Sequence, residues 1–282
     1  MPELACVNGI FSSLEEATVS INDRGLVFGD SVYEVLHAHR GRLWAAEQHY
    51  RRLARSLKAI GLAIDLAQVR AWVEEALRRS GLEEALVYLQ VTAGAAPRDH
   101  VRPSGLVPTV IVTVRHLLPM SEEMRLQGVK AITVAEHRWR RRDIKSTNLL
   151  PNVWAKEQAQ QVGAYEAILV EADGTVTEGA STNVFLVHQG QLHTPPRSHH
   201  ILPGITRELL METARELGYA VHERRISLGE LYQAEELFLS GTTTEALGVV
   251  ELDGFPIGSG RVGPITLRLY EAYWERIRQG RD

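Results

Sequence analysis

The chain reads as hairpins interrupted by helices, and this punctuation limits its fold more than any other feature. Val7-Asn8-Gly9-Ile10-Phe11 sets Asn-Gly between apolar residues, the pair suited to a type I′ turn because both central residues need positive φ. Residues 17–21 alternate and predict a strand. Residues 31–38 are a β-branched and aromatic run, after which His39-Arg40-Gly41-Arg42 turns the chain into Leu43-Trp44. A helix is expected over 46–60, with Leu53, Leu57 and Ile60 on one face and Gly61 as its stop; another is expected over 66–79. Strands at 85–92 and 109–114 close this half.

His116-Leu117-Leu118-Pro119-Met120-Ser121 leaves the strand pattern at a proline, which predicts a domain junction near 117–122 and domains of 1–118 and 122–282. Beyond it, 131–135 and 167–170 read as strands and Asp173-Gly174 as a hairpin turn. Residues 183–187 and 191–194 pair around Gln189-Gly190. A helix opens after Gly204-Ile205-Thr206 and stops near Leu217-Gly218. Strands at 237–239 and 246–252 and a helix over 264–278 complete the chain. Hairpins beside helices, without an internal repeat, argue for an α+β fold of two domains and against a doubly wound parallel sheet.

Composition excludes several classes. Of 282 residues, 44% are hydrophobic and 23% charged, as in an ordinary soluble protein, and the net charge of −4 gives no basic face for nucleic acid. No stretch approaches the roughly 20 apolar residues that span a bilayer. Met1-Pro2-Glu3-Leu4 lacks the basic and apolar regions of a signal peptide, so a cytoplasmic protein is expected. Cys6 is the single cysteine, which rules out an intramolecular disulfide and reads as a bystander. No metal is called for. The cluster Arg140, Arg141 and Arg142 needs a local explanation.

Five places could carry chemistry together. Lys145, in Arg142-Asp143-Ile144-Lys145-Ser146-Thr147-Asn148, is alone an ordinary lysine; with an aldehyde bound nearby it could form a Schiff base. Gly204-Ile205-Thr206-Arg207 puts glycine and a hydroxyl at a helix start, where free N–H groups favour a phosphate, although Thr206 could merely cap its own helix. Ser240-Gly241-Thr242-Thr243-Thr244 follows a buried strand and offers N–H and O–H donors, or is a plain strand-exit turn. Glu178 could pair with a pyridine nitrogen, or be a solvated hairpin glutamate. Pro97-Arg98-Asp99-His100, with Tyr33, could grip a substrate carboxylate, or be a surface loop.

In this order the motifs resemble the fold-type IV pyridoxal-phosphate enzymes over nearly the whole chain. The resemblance rests on Phe28-Gly29-Asp30-Ser31-Val32-Tyr33-Glu34, the stretches 49–53, 139–150, 166–169, 177–183 and 202–207, and Ser240 to Glu245. The run from Asp143 to Leu150 and the loop of Arg98 and His100 are similar to the D-amino-acid aminotransferase branch; branched-chain aminotransferases and aminodeoxychorismate lyases differ in that loop. The resemblance implies two α+β domains with pyridoxal 5'-phosphate between them and the Schiff-base lysine in the second. It implies Lys145 as the Schiff-base lysine and proton carrier, and Glu178 as partner of the pyridine nitrogen. It gives Arg52 (Arg51 being the alternative), Ile205, Thr206 and Thr242 to the phosphate, Leu202 to packing near the ring, and Tyr33, Arg98 and His100 to the α-carboxylate. Two departures are noted: Thr182 stands where close relatives often have serine, and Gly241 replaces a hydroxyl residue.

The implied reaction is ping-pong transamination of D-alanine and 2-oxoglutarate to pyruvate and D-glutamate by a homodimer whose interface residues complete each site. A branched-chain L-aminotransferase or an (R)-amine transaminase of the same fold is the alternative. A non-catalytic cofactor-binding protein is disfavoured because lysine, glutamate and both phosphate motifs are present.

Overall fold

A computed structural model describes residues 3–281 and divides them into two compact units. The first takes in the chain up to Leu118 together with Ile144–Asn148; the second takes Pro119–Asp143 and the chain from Leu149 onward.

The first unit contains β1 (Leu4–Val7), β2 (Ile10–Ser12), α1 (Arg24–Phe28), β3 (Ser31–His39), β4 (Arg42–Leu43), α2 (Ala46–Ala59), α3 (Leu66–Ser80), β5 (Ala85–Thr92) and β6 (Thr109–His116). Its six strands form one antiparallel sheet in the order β2-β1-β6-β5-β3-β4. The first hairpin turns as its sequence predicts: Asn8 and Gly9 both have positive φ, 50° and 83°, and Val7 pairs with Ile10. Alternate residues of the strands point to opposite faces. Val32 and Leu36 of β3 and Val87, Leu89 and Val91 of β5 are buried in one core with Leu53 and Leu57 of α2 and Val69, Val73 and Leu77 of α3. Each fully buried aliphatic side chain contributes about 1.5–3 kcal/mol.

Residues 17–21 form no strand. Alternation alone supplies no hydrogen-bonding neighbour, and Val19 and Ile21 are exposed. The chain turns instead at Ser13, whose hydroxyl and N–H both donate to Glu16, and Asp23 then caps α1 by accepting from Gly25 N–H.

The lysine segment joins the first unit, although the sequence assigns it to the second domain. Two-residue β4 covers only the far end of β3, so the edge near Val32 has room for a partner. Ser146 bridges Val32 in antiparallel fashion, Tyr33 N–H donates to Lys145 C=O at 2.9 Å, and Ile144 is buried in the core.

The second unit contains α4 (Glu122–Gln127), β7 (Val129–Ala135), α5 (Leu150–Gln161), β8 (Glu166–Val170), β9 (Val176–Gly179), β10 (Asn183–His188) and β11 (Gln191–Thr194). It continues with α6 (Ile205–Glu216), β12 (Val221–Glu223), α7 (Leu228–Tyr232), β13 (Glu236–Gly241), β14 (Glu245–Leu252), β15 (Phe255–Pro256) and α8 (Pro264–Gln279). The sheet order is β12-β11-β10-β13-β14-β7-β8-β9, with β15 beside β14. This sheet is mixed: β11–β12, β14–β7 and β7–β8 are parallel. The β7–β8 pair needs a crossover, and α5 lies in it. The sequence shows no apolar stripe for α5 because the helix buries only Ala155 and Ala159 and leaves Trp154 exposed. Val184, Leu186, Leu237, Leu239, Leu247 and Val249 form the main core, and Phe185 stacks on Phe238 at 4.8 Å. Among the described residues no helix is long and apolar enough to cross a membrane.

Candidate functional site

In the first unit, the alternation of β3 separates two groups of side chains. Tyr33 points away from the helices and Glu34 toward them. Lys145 Nζ lies 4.1 Å from the centroid of the Tyr33 ring, and that ring stacks on Tyr88 at 5.6 Å. The lysine backbone is tied on both sides, its C=O by Tyr33 N–H and its N–H by Ser56 Oγ at 3.3 Å. A fixed backbone with a half-exposed amine against an aromatic face suits a group that must meet a carbonyl carbon. Burial, with Tyr33 adding to it, pushes the Tyr88 phenol up to about 12, and its hydroxyl donates to Gln90 at 2.7 Å.

On the helix side, Glu34 accepts from Arg52 Nε at 2.8 Å and Nη2 at 2.7 Å, and His49 Nδ1 lies 2.7 Å from the same carboxylate. Burial opposes the charge on Glu34, but the Arg52 guanidinium and the bonds from Arg52 and His49 overcome it and hold the carboxyl at about 2. Burial pushes the His49 imidazole down despite the pull of Glu34, against which its Nδ1 lies. Of the two arginines considered for a phosphate, Arg52 is buried and Arg51 is exposed, bonded to Glu47.

Arg98 and His100 stand exposed on their loop, both against the Phe28 ring, at 5.3 and 5.4 Å. The loop is anchored from below. Buried Arg24 donates to the carbonyls of Asp99 at 2.6 Å and His100 at 3.2 Å and to Asp30 at 2.9 Å, and Arg102 grips the same Asp30 and the Ile60 carbonyl. Among the described residues, no hydrogen bond, ion pair or ring contact joins Arg98 or His100 to Tyr33 or Lys145.

In the second unit, the predicted residues meet around Asn183, the first residue of β10. Its Nδ2 donates to Glu178 at 3.1 Å and to the Leu202 carbonyl at 2.9 Å, and Leu202 N–H returns to Glu178 at 3.0 Å. Arg138 Nη1 donates to the other oxygen of Glu178. Every partner of Glu178 is therefore a donor. Burial raises the Glu178 carboxyl above its ordinary value, with the Arg138 charge working against the shift.

The two candidate phosphate loops adjoin the same asparagine. Asn183 pairs with Ser240 across β10 and β13, and a Cβ on Gly204 would collide with Asn183 Oδ1, so only glycine fits there. Gly204 is the N-cap of α6 and provides no side-chain cap, which leaves the N–H groups of that first turn, including those of buried Ile205 and Thr206, to an external acceptor. Ser240 Oγ is buried and has no hydrogen-bond partner among the described residues, and Thr242 lies in the turn that follows. A buried orphan hydroxyl beside an uncapped helix end fits an anion, and an acceptor-only carboxylate fits a protonated ring nitrogen. The residues present thus fit pyridoxal phosphate.

Sequence reasoning named Lys145, Glu178 and the loops but not Glu34, His49, Glu136, Arg138 or Asn183 as working parts. Their signal is weak, since each is a common polar residue and the pairings that give them meaning, Glu34 with His49 and Arg52 and Arg138 with Glu178, span 15 to 40 residues.

Residues 31–252 match the model of amino-transferase class IV. The chain is 39% identical over 272 residues to the D-alanine aminotransferase of Bacillus licheniformis, covering 96% of this chain and 95% of that one. It is 39% identical over 278 residues to the D-alanine aminotransferase of Staphylococcus aureus strain N315, covering 96% of each. Among solved structures it superposes on the branched-chain amino acid aminotransferase of Escherichia coli with a TM-score of 0.90, 28% identity and coverage of 96% and 93%. The branched-chain aminotransferase of Thermoproteus uzoniensis with norvaline gives 0.88 and 30%, over 99% and 96%. The chain belongs to amino-transferase class IV, a family of pyridoxal-phosphate enzymes.

Proposed function

We propose that this chain is a D-amino-acid transaminase that moves the amino group of D-alanine to 2-oxoglutarate, giving pyruvate and D-glutamate, with pyridoxal phosphate as cofactor. The observation that carries the substrate class is the 39% identity, nearly end to end, with two D-alanine aminotransferases. The bound cofactor would supply an aldehyde for covalent attachment and an electron-accepting ring.

Lys145 would hold that group through Nζ and, once displaced by substrate, carry the α-proton as base and then acid. Its tied backbone and the Tyr33 face keep the amine in one place. Glu178 would hold a proton at the ring nitrogen. Arg52, Ile205, Thr206 and Thr242 would bind the phosphate, with Leu202 packing near the ring. Tyr33, Arg98 and His100 would bind the α-carboxylate, where arginine can offer two parallel bonds. The enzyme would act as a homodimer in the cytoplasm.

The solved branched-chain aminotransferases support a second reading, transfer from L-leucine-like donors. An amino-donor panel separates the two. With 2-oxoglutarate as acceptor, kcat/KM for D-alanine should exceed that for L-leucine and for (R)-1-phenylethylamine by roughly 10²-fold or more. Lys145→Ala should lose both turnover and the visible absorbance of the covalent adduct. Faster transfer from L-leucine would replace the D-amino-acid reading, and a fully active Lys145→Ala protein would remove its chemical basis.

A further inference from the structure

Glu178 ends a ladder of alternating charge that crosses the second unit to its surface. Arg138 bonds Glu178 and also Glu136, through Nη2 at 2.6 Å and Nε at 3.0 Å. Arg142 lies 3.3 Å from Glu136 and 2.7 Å from Glu171, and His200 Nδ1 lies 3.4 Å from Glu171. The inner side chains are almost wholly buried, and exposure begins at Glu171 and His200. This ladder is the local explanation of the arginine cluster: Arg142 is a buried rung, whereas Arg141 pairs at the surface with Asp143.

The ladder is not neutral. Three carboxylates, Glu136, Glu171 and Glu178, face two guanidiniums, Arg138 and Arg142. One negative charge is left over, and at the buried end solvent does not screen it. An ionised carboxylate has about four acceptor positions. Arg138, Asn183 and Leu202 occupy three on Glu178. One acceptor position and one charge therefore await a cationic donor.

We propose that Arg138 is a positioning residue that decides where the shared proton sits when a pyridine ring is bound at Glu178, keeping it on the ring nitrogen and off the carboxylate. This rests on the proposed pairing of Glu178 with that nitrogen. In a buried pair, a neutral O–H···N arrangement competes with the ion pair N–H⁺···O⁻, and burial favours the neutral one. A guanidinium bonded to the carboxylate makes it a weaker base and favours the ion pair. The charged groups facing Glu178 are Arg138 and Glu136, from the segment after β7; β10 and residue 202 contribute the neutral donors Asn183 and Leu202. Glu136 fixes Arg138 but its own charge pushes the proton toward Glu178, and Arg142 offsets that push.

The test is NMR of the holoenzyme reconstituted with pyridoxal phosphate labelled with ¹⁵N in the ring. The wild type should show a protonated ring nitrogen at neutral pH. Arg138→Met should move the resonance to the neutral-pyridine position and slow the single-turnover reaction with D-alanine by about 10²-fold, and Arg138→Lys, which keeps the charge, should restore the protonated signal. If Arg138→Met does not fold, Arg142→Met, one rung further away, should move the ring resonance part of the way toward the neutral-pyridine position at neutral pH. A ring that stays protonated in a folded Arg138→Met holoenzyme, or no movement in Arg142→Met, overturns the proposal. Glu178→Gln separates the two levels: if it leaves the ring signal unchanged, the pairing of Glu178 with the ring is itself wrong; if it removes the proton while the arginine variants do not, only the role of Arg138 fails.

Discussion

Glu34 in the first unit and Glu178 in the second are both buried glutamates bonded to an arginine, yet folding treats their charges in opposite ways. Arg52 faces Glu34 with two nitrogens, and His49 Nδ1 makes a third contact with the same carboxylate. The Glu34–Arg52 pair balances its own charge, and Glu34 is held at about 2. Glu178 has to share Arg138 with Glu136, its cluster carries surplus negative charge, and burial raises its carboxyl. A closed pair stabilises the fold. An open one keeps a buried charge that the fold alone disfavours, which suits Glu178 to its proposed pairing with a cationic ring nitrogen.

The largest effect should come from breaking the closed pair. Glu34→Gln leaves Arg52 buried without a counter-charge and should cost about 3–5 kcal/mol, read as a lower urea midpoint at pH 7. The same pair gives a pH signature. A folded carboxyl at about 2, against an unfolded value of about 4.3, stabilises above the unfolded value and loses that contribution as pH falls from about 5 to 2. The contribution is about 3 kcal/mol, and Glu34→Gln should remove that slope. A variant with wild-type midpoint and slope would show that the pair carries no stability.

Glu178→Gln should reverse the pattern. Arg138 keeps Glu136 as a partner, so the urea midpoint should fall less than in Glu34→Gln. The raised Glu178 carboxyl has the opposite linkage: its ionised form costs folding energy above its folded value, and the cost fades as pH drops. Turnover should fall by about 10²–10³-fold, equivalent to 2.7–4 kcal/mol, since a charge aimed at the reacting system is lost. Steady-state kcat beside the urea midpoint checks this. Unfolding as severe as in Glu34→Gln with kcat intact would erase the distinction between the two clusters.

How far the sequence reveals these clusters depends on how local their causes are. The Asn8-Gly9 hairpin, the apolar face of α2 and the span of α3 follow from neighbours in the chain, and they stand where expected. Residues 17–21 mislead because alternation says nothing about whether a sheet edge is available. Helix α5 is hidden because it buries only alanines. The Lys145 segment crosses to the first unit because β4 is too short to cover β3, a fact of pairing that no local pattern carries. The glycine, threonine and lysine motifs of the candidate site are visible as motifs. The arginine that tunes Glu178 is not, because Arg138 is 40 residues away in the chain and its meaning lies in a count of charges that only the fold assembles.

The smallest effect concerns a third kind of charge, exposed and outside both clusters. Arg98 rests on the Phe28 ring at 5.3 Å and makes no ion pair among the described residues, while Arg24, Asp30 and Arg102 hold its loop. Removing the side chain therefore leaves the loop's anchors in place, and Arg98→Ala should unfold at the wild-type midpoint and keep the cofactor absorbance. If Arg98 binds the substrate carboxylate, its loss removes a charge-assisted bond worth about 1.5–3 kcal/mol. KM for D-alanine should rise by roughly ten- to a hundredfold, and 1-phenylethylamine, which has no carboxylate, should be affected little. Asp30→Asn should act differently, weakening both arginine anchors and so loosening the whole loop. D-alanine kinetics unchanged in Arg98→Ala would make the loop a surface turn, and the choice between D- and L-amino acids would then have to come from the β3 face that carries Tyr33.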